Sequence, residues 1–239
     1  MTRRRWLADE VRGDKAALTG KHAEHLSRVL RARVGQEFDV SAGGRVRRGR
    51  VVAVAEERVE FALGEELPAS AEANLNVTLL VAIYKFDRME WALEKLTELG
   101  AARVVPVIAR RTDPRLAKAA AKRVERWRRI AQEAAEQSRR LGPPEVLAPA
   151  KLKDAVATAA LTRVVLAESE QAVRLADVVR VHPPGEALAL AVGPEGGWTE
   201  DELRLFSESG WTAASLGSRI LRAETAAIAA MAIVSSSAP

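Results

Sequence analysis

The chain has 239 residues, 48% of them apolar, which is enough to bury a core in one large or two small domains. It has no cysteine and only His22, His25 and His182 as histidines, which excludes disulfides, thiolate metal sites and a cysteine nucleophile and argues against a histidine-rich metal centre. The net charge of +5 is uneven: residues 1–50 carry 13 basic and 6 acidic side chains, residues 110–140 carry 11 and 4, and the remainder is net acidic. Arginine outnumbers lysine 29 to 8, a bias that suits bidentate phosphate contact and base stacking. Two separated basic blocks point to a polyanion, with ordinary solvated charged faces as the competing reading. No apolar run approaches the roughly 20 residues that span a bilayer, and Met1–Trp6 leads into polar sequence rather than a signal peptide. The expectation is a cytoplasmic protein with neither membrane span nor structural metal.

Along the chain, residues 1–70 read as β-rich. Glu37–Ser41 and Arg45–Ala55 flank a turn at Ala42-Gly43-Gly44, and Arg58–Gly64 alternates Val59, Phe61 and Leu63 with polar residues as a half-buried strand does. One helix is expected over Lys21–Arg33, with Leu26, Val29 and Leu30 on its apolar face and Gly35 as its stop. A small barrel with one helix accommodates these elements. Leu67–Ala73 reads as a linker. Beyond it the pattern becomes apolar strands alternating with helices. Strands are expected at Val77–Ile83, Val104–Ile108, Arg163–Ala167, Ala187–Val192 and Thr212–Ser215, and helices at Asp87–Leu99 and Pro114–Ser138. That alternation predicts an α/β domain with a mostly parallel sheet covered on both faces.

Two loops carry the chemistry. The strand at Ala187–Val192 runs into Gly193-Pro194-Glu195-Gly196-Gly197, after which Thr199 and Glu202 are spaced as a capping box. Ligands in such sheets bind beyond the carboxyl ends of strands, and these glycines let backbone approach a ligand closely. The segment matches neither the dinucleotide fingerprint nor a phosphate loop. The second loop, Leu216-Gly217-Ser218-Arg219-Ile220-Leu221-Arg222-Ala223-Glu224-Thr225, brings two arginines and a glutamate to the start of an alanine-rich helix. Charges there are either paired or used. Pairing of Arg222 with Glu224 or Glu195 is the purely structural alternative.

The pair GPEGG and LGSRILRAETA, separated by 18 residues, resembles the RsmE family, SPOUT-class methyltransferases of 16S ribosomal RNA. HLSRVLRARVG at 25–35, EKLTELGA at 94–101, and EAAEQSRR at 133–140 followed by Pro143-Pro144 extend the likeness over essentially the whole chain. The resemblance implies a PUA-like RNA-binding β-barrel at residues 1–70 and a trefoil-knotted SPOUT domain at 74–239. It also implies a homodimer, S-adenosylmethionine as cofactor, and N3 of a uridine in the small ribosomal subunit as methyl acceptor. Cofactor contacts would come from Leu166 and Glu168, from Gly193, Pro194, Glu195, Gly196 and Gly197, and from Leu216, Gly217, Arg219, Ile220, Leu221 and Thr225. RNA contacts would come from Arg3, Arg4, Arg5, His25, Arg28 and Arg31 on the first domain, and from Lys85, Arg88, Arg110, Arg111, Arg139 and Arg140 along the catalytic cleft.

Uridine N3 carries a proton at neutral pH, so its activation needs a base or a cation that stabilises the anion. Glu195 and Glu224 are the candidate bases; Arg222, with Arg219 second, is the candidate stabiliser. Three other readings stay open at this point: methylation of another RNA position such as a ribose 2′-oxygen, an RNA-binding assembly factor with a relic cofactor site, and an enzyme acting on a small phosphorylated molecule.

Overall fold

The computed structural model describes residues 5–42, 45–67, 75–138 and 140–237. The chain divides into two compact units, Met1–Glu72 with Ala135–Gly142, and Ala73–Ala134 with Pro143–Pro239. The later segment that joins the first unit carries no signal in the sequence. Gly43 and Gly44 of the expected turn, and the expected linker beyond Leu67, lie outside the described residues.

The first unit is built on β1 (Arg5–Leu7), β2 (Glu10–Arg12), β3 (Lys15–Thr19), α1 (Gly20–Glu24), β4 (Glu37–Ala42), β5 (Arg45–Val54) and β6 (Arg58–Glu66). The strands form one sheet in the order β1-β4-β5-β6-β3-β2, antiparallel except for β1 beside β4. It wraps a core of Leu18, Leu26, Val40, Val59 and Phe61, as a half-barrel does. The expected helix over Lys21–Arg33 is shorter. It passes after Glu24 into a π-helical turn, His25–Val29, closed by Leu30 N–H donating to the His25 carbonyl at 3.1 Å. Arg31 then takes a positive φ of 50°, which ends the helix before Gly35 is reached. The wider turn rotates the apolar face, so Leu26 is buried while Val29 and Leu30 are exposed.

The second unit holds β7 (Val77–Ala82), α2 (Phe86–Glu98), β8 (Arg103–Ile108), α3 (Pro114–Ala120), α4 (Val124–Gln137), β9 (Glu145–Val146), β10 (Ala150–Lys151) and α5 (Leu152–Ala155). It continues through β11 (Thr162–Leu166), α6 (Leu175–Arg180), β12 (Leu188–Val192), α7 (Glu200–Glu208), β13 (Thr212–Ala214) and α8 (Ala223–Ser237). The sheet is parallel throughout, ordered β10-β8-β7-β12-β11-β13, with β9 also pairing β8. Its central strands β7 and β12 are buried without alternation because both faces are covered: Leu79 and Val81 face α2, α4 and α8, while Leu80 and Ala82 face the layer holding Leu152, Phe206 and Trp211. The single helix expected over Pro114–Ser138 is two helices joined by a 3₁₀ turn at Ala121–Arg123. Asp113 caps the first, its carboxylate accepting from Arg115 N–H at 2.7 Å. After β13 at the sheet edge the chain returns, and α8 packs on α2, α6 and β12. No helix among the described residues is long and apolar enough to cross a membrane.

Candidate cofactor and catalytic site

Strand order decides where the site lies. β12, β11 and β13 are neighbours in the sheet and all run the same way, so the loops that follow them emerge side by side at one edge. Together with Arg88 of α2 and Arg111 of the loop after β8 they enclose a cleft of about 810 Å³, within the usual range of small-molecule sites.

The Gly193–Gly197 loop is seated by Trp198 on one side and Arg111 on the other. A Cβ on Gly193 would meet the Trp198 indole 3.2–3.4 Å away, so the glycine exists to let that ring lie across the backbone. Gly197 has a positive φ of 71°, a conformation that side chains resist. The Arg111 guanidinium donates to the Gly196 carbonyl. Arg111 is itself placed by a carboxylate that the sequence shows only as a helix cap. Glu202 accepts from Thr199 N–H at 2.9 Å to complete the capping box, and its other oxygen accepts from Arg110 N–H at 2.7 Å. One buried side chain therefore ties the β8–α3 loop to the start of α7.

The charged groups are arranged around Arg88, in the first turn of α2. Its guanidinium donates to Glu195 at 2.8 Å and lies 3.8 Å from a Glu224 oxygen. The Glu195 side chain is 44% exposed, whereas that of Glu224 is 7% exposed, and the second Glu224 oxygen has no hydrogen-bond partner. The Tyr84 hydroxyl is likewise buried without a partner. Burial, with the Glu224 and Glu195 charges adding, pushes the Tyr84 phenol far above its ordinary value, so it stays protonated. Arg219 and Arg222 stand exposed on the cleft wall with no ion pair among the described residues, so the pairing of Arg222 with Glu224 or Glu195 is replaced by that of Arg88.

The cleft wall includes Leu166, Glu168, all of Gly193–Gly197, Leu216, Gly217, Arg219, Ile220, Leu221 and Arg222, and Thr225 and Glu224 fall outside it. Arg174 and Trp198, which the sequence reading did not single out, also line it. Arg174 follows no glycine-rich signal; it arrives through a lone pairing of its backbone with Ser215, a contact made across the fold. Of the six basic residues expected along the cleft, Arg88 and Arg111 line it. Lys85 precedes α2 as its N-cap residue, and Arg110 is exposed nearby with its N–H held by Glu202. Arg140 belongs to the first unit and Arg139 lies outside the described residues. On the first unit, Arg28 pairs with Glu56 at 3.2 Å, His25 packs against Trp6 with ring centroids 5.8 Å apart, and Arg31 is exposed. Arg5 is half-buried; Arg3 and Arg4 lie outside the described residues.

The cleft fits a cofactor of the size and polarity of S-adenosylmethionine. It offers open backbone at Gly193, Gly196 and Gly217, the last with a positive φ of 125°, apolar walls at Leu166, Leu216 and Leu221, and both signs of charge. Among the described residues no group of three or more metal-ligating side chains gathers, and methyl transfer from a sulfonium requires none.

Comparisons with known proteins agree with this geometry. A family model described as an RNA methyltransferase domain matches residues 71–235. The chain is 36% identical over 227 residues to the ribosomal RNA small subunit methyltransferase E of Synechocystis, covering 90% of this chain and 71% of that protein. It is 31% identical over 227 residues to the enzyme of the same name from Bacillus subtilis, covering 92% and 89%. The crystal structure of a ribosomal RNA small subunit methyltransferase E from Neisseria gonorrhoeae, bound to S-adenosyl methionine, matches with a TM-score of 0.83 and 34% identity over 96% of this chain and 95% of that one.

Proposed function

The chain belongs to the RNA methyltransferase family that includes the ribosomal RNA small subunit methyltransferases E, and from that membership we propose that it methylates N3 of a uridine in 16S ribosomal RNA, using S-adenosylmethionine. The observation that carries the reading is the cleft itself, where the two glycine-bearing loops and the loop after β11 meet beside two uncommitted arginines. Bound there, the cofactor would supply an electrophilic methyl group on a sulfonium. The protein's part is to bind, orient and adjust charge.

Backbone of Gly193–Gly197 and Leu216–Leu221 holds the cofactor against the carboxyl edge of the sheet. Arg222, exposed and unpaired, stabilises the uracil anion, with Arg219 beside it on the wall. Of the two carboxylates, Glu195 has the exposure to meet a substrate and take its N3 proton; Glu224 is buried and lies outside the cleft wall. The basic side chains of residues 1–70, Arg31 among them, and Arg111 at the cleft contact phosphates, which makes RNA affinity fall steeply with salt. The boundaries read from the sequence, a PUA-like domain at 1–70 and a SPOUT domain at 74–239, complete the proposal. So do a trefoil knot, supported by the return of α8 from the sheet edge, and a homodimer that light scattering would measure.

The test is methylation of small ribosomal subunits, and of free 16S RNA, from a strain lacking the enzyme, with the modified nucleoside mapped. 3-Methyluridine at one position is the expected product. A ribose methyl, or no transfer to either substrate, would overturn the reading.

A further inference from the structure

The two loops of the cleft reach the same point by different routes, and each brings one carboxylate. Glu195 comes from the turn after β12, and Glu224 from the first turn of α8. Between them stands one cation, Arg88, whose Nη1 lies 2.8 Å from Glu195 and 3.8 Å from Glu224. No other cation is within ion-pair distance of either carboxylate among the described residues. The position of Glu224 makes this matter. Its side chain is 7% exposed, one oxygen has no hydrogen-bond partner, and the neighbouring phenol of Tyr84 has none either. A buried carboxylate in such surroundings is strongly disfavoured unless a counter-charge stands close. The helix start at α8 helps, yet Arg88 is the full charge available.

We propose that Arg88 is a positioning residue for methyl transfer: it clasps the two cofactor loops together by bridging Glu195 and Glu224, and so sets the cleft's geometry before the cofactor enters. This rests on the methyltransferase reading above and assigns Arg88 a task other than the RNA contact expected of a basic residue at a cleft. Lysine at position 88 keeps the charge as a single point and engages one carboxylate at a time; alanine leaves Glu224 buried with no counter-ion.

The experiment is calorimetric binding of S-adenosylmethionine to full-length wild type, Arg88→Ala, Arg88→Lys and Arg88→Ala/Glu224→Gln, with amide hydrogen exchange read at residues 193–197 and 223–227. Arg88→Ala should bind S-adenosylmethionine at least about tenfold more weakly, in line with the coupling seen between residues of one charged network, and both loops should exchange faster. Arg88→Lys should recover part of the affinity. The double variant should recover protection at residues 223–227, because no buried charge is left without a partner, while residues 193–197 stay exposed to exchange, because Glu195 has lost its cation. If Arg88→Ala is too unstable to measure, the double variant must fold where the single one does not. Wild-type affinity and exchange in Arg88→Ala, or full protection of residues 193–197 in the double variant, would overturn the clasp. Failure of wild type itself to bind S-adenosylmethionine would instead overturn the methyltransferase reading.

Discussion

Replacing Glu202 tests whether one buried carboxylate holds the cofactor loop through its neighbour. The side chain is 8% exposed and accepts three hydrogen bonds: from Arg110 N–H at 2.7 Å, Thr199 N–H at 2.9 Å and the Thr199 hydroxyl at 3.1 Å. Hydrogen bonds to a charged group contribute about 1.5–3 kcal/mol each, and a helix cap about 1 kcal/mol. Arg110 and Thr199 are not deeply buried, so water recovers part of this, and Glu202→Ala should cost about 2–4 kcal/mol in total. At about 2–4 °C per kcal/mol for a chain of this size, thermal melting followed by circular dichroism should fall by about 5–15 °C. Glu202→Gln keeps the shape but turns an NH₂ group toward one of the two backbone donors, so it should lose roughly half as much. Because the same tie places Arg111 on the Gly196 carbonyl, calorimetry should show weaker S-adenosylmethionine binding in both variants. An alanine variant melting within about 1 °C of wild type, with unchanged exchange at the Arg110 amide, would refute the reasoning.

Three other outcomes are expected. Gly193→Ala places a Cβ against the Trp198 indole, which is held by Phe206 with ring centroids 5.0 Å apart, so it should cost about 1–3 kcal/mol in a melt and weaken the cofactor. Arg222→Ala should lower single-turnover methylation by about 10²-fold while cofactor affinity measured by calorimetry stays near wild type; a near-normal rate would remove Arg222 as the anion stabiliser. His22 sits between Asp9 at 3.0 Å and Glu136 at 2.9 Å, and hydrogen bonds to them raise its pKa to about 10. Its stabilisation is therefore fully present below the unfolded value near 6.5 and lost as pH rises through 10. His22→Ala should melt lower at pH 7, by about 1–2 kcal/mol after allowance for solvent screening, and the gap from wild type should close above pH 10. A gap that stayed constant across that range would sink the clamp. At the acid end, burial works against ionised Asp9, but hydrogen bonds from His22 and Thr19 N–H hold its pKa below normal, so its contribution fades as pH falls through that lowered value.

Much of the second unit was legible because its signals are local. Apolar runs such as Val77–Ile83 can be satisfied only by burial on both faces, and the Thr199–Glu202 spacing closes its capping box within one turn. The helix over Lys21–Arg33 failed on a feature that side-chain periodicity does not encode, a π-helical turn followed by a left-handed Arg31. The break inside Pro114–Ser138 was missed for a related reason: a 3₁₀ turn keeps the apolar residues buried on both sides of it, so the pattern survives while the helix does not.

By itself the sequence determined the class of fold, the two glycine-bearing loops and the family resemblance, since each of these is written in neighbouring residues. Tertiary structure decided what those loops do together. Strand β11 lies between β12 and β13, an order set by packing between distant segments, and only that order brings the three loops to one edge. The pairing of Arg88 with Glu195 joins residues 107 positions apart. A guanidinium takes whichever carboxylate the fold places within reach, because Coulomb attraction depends on distance through space and not along the chain.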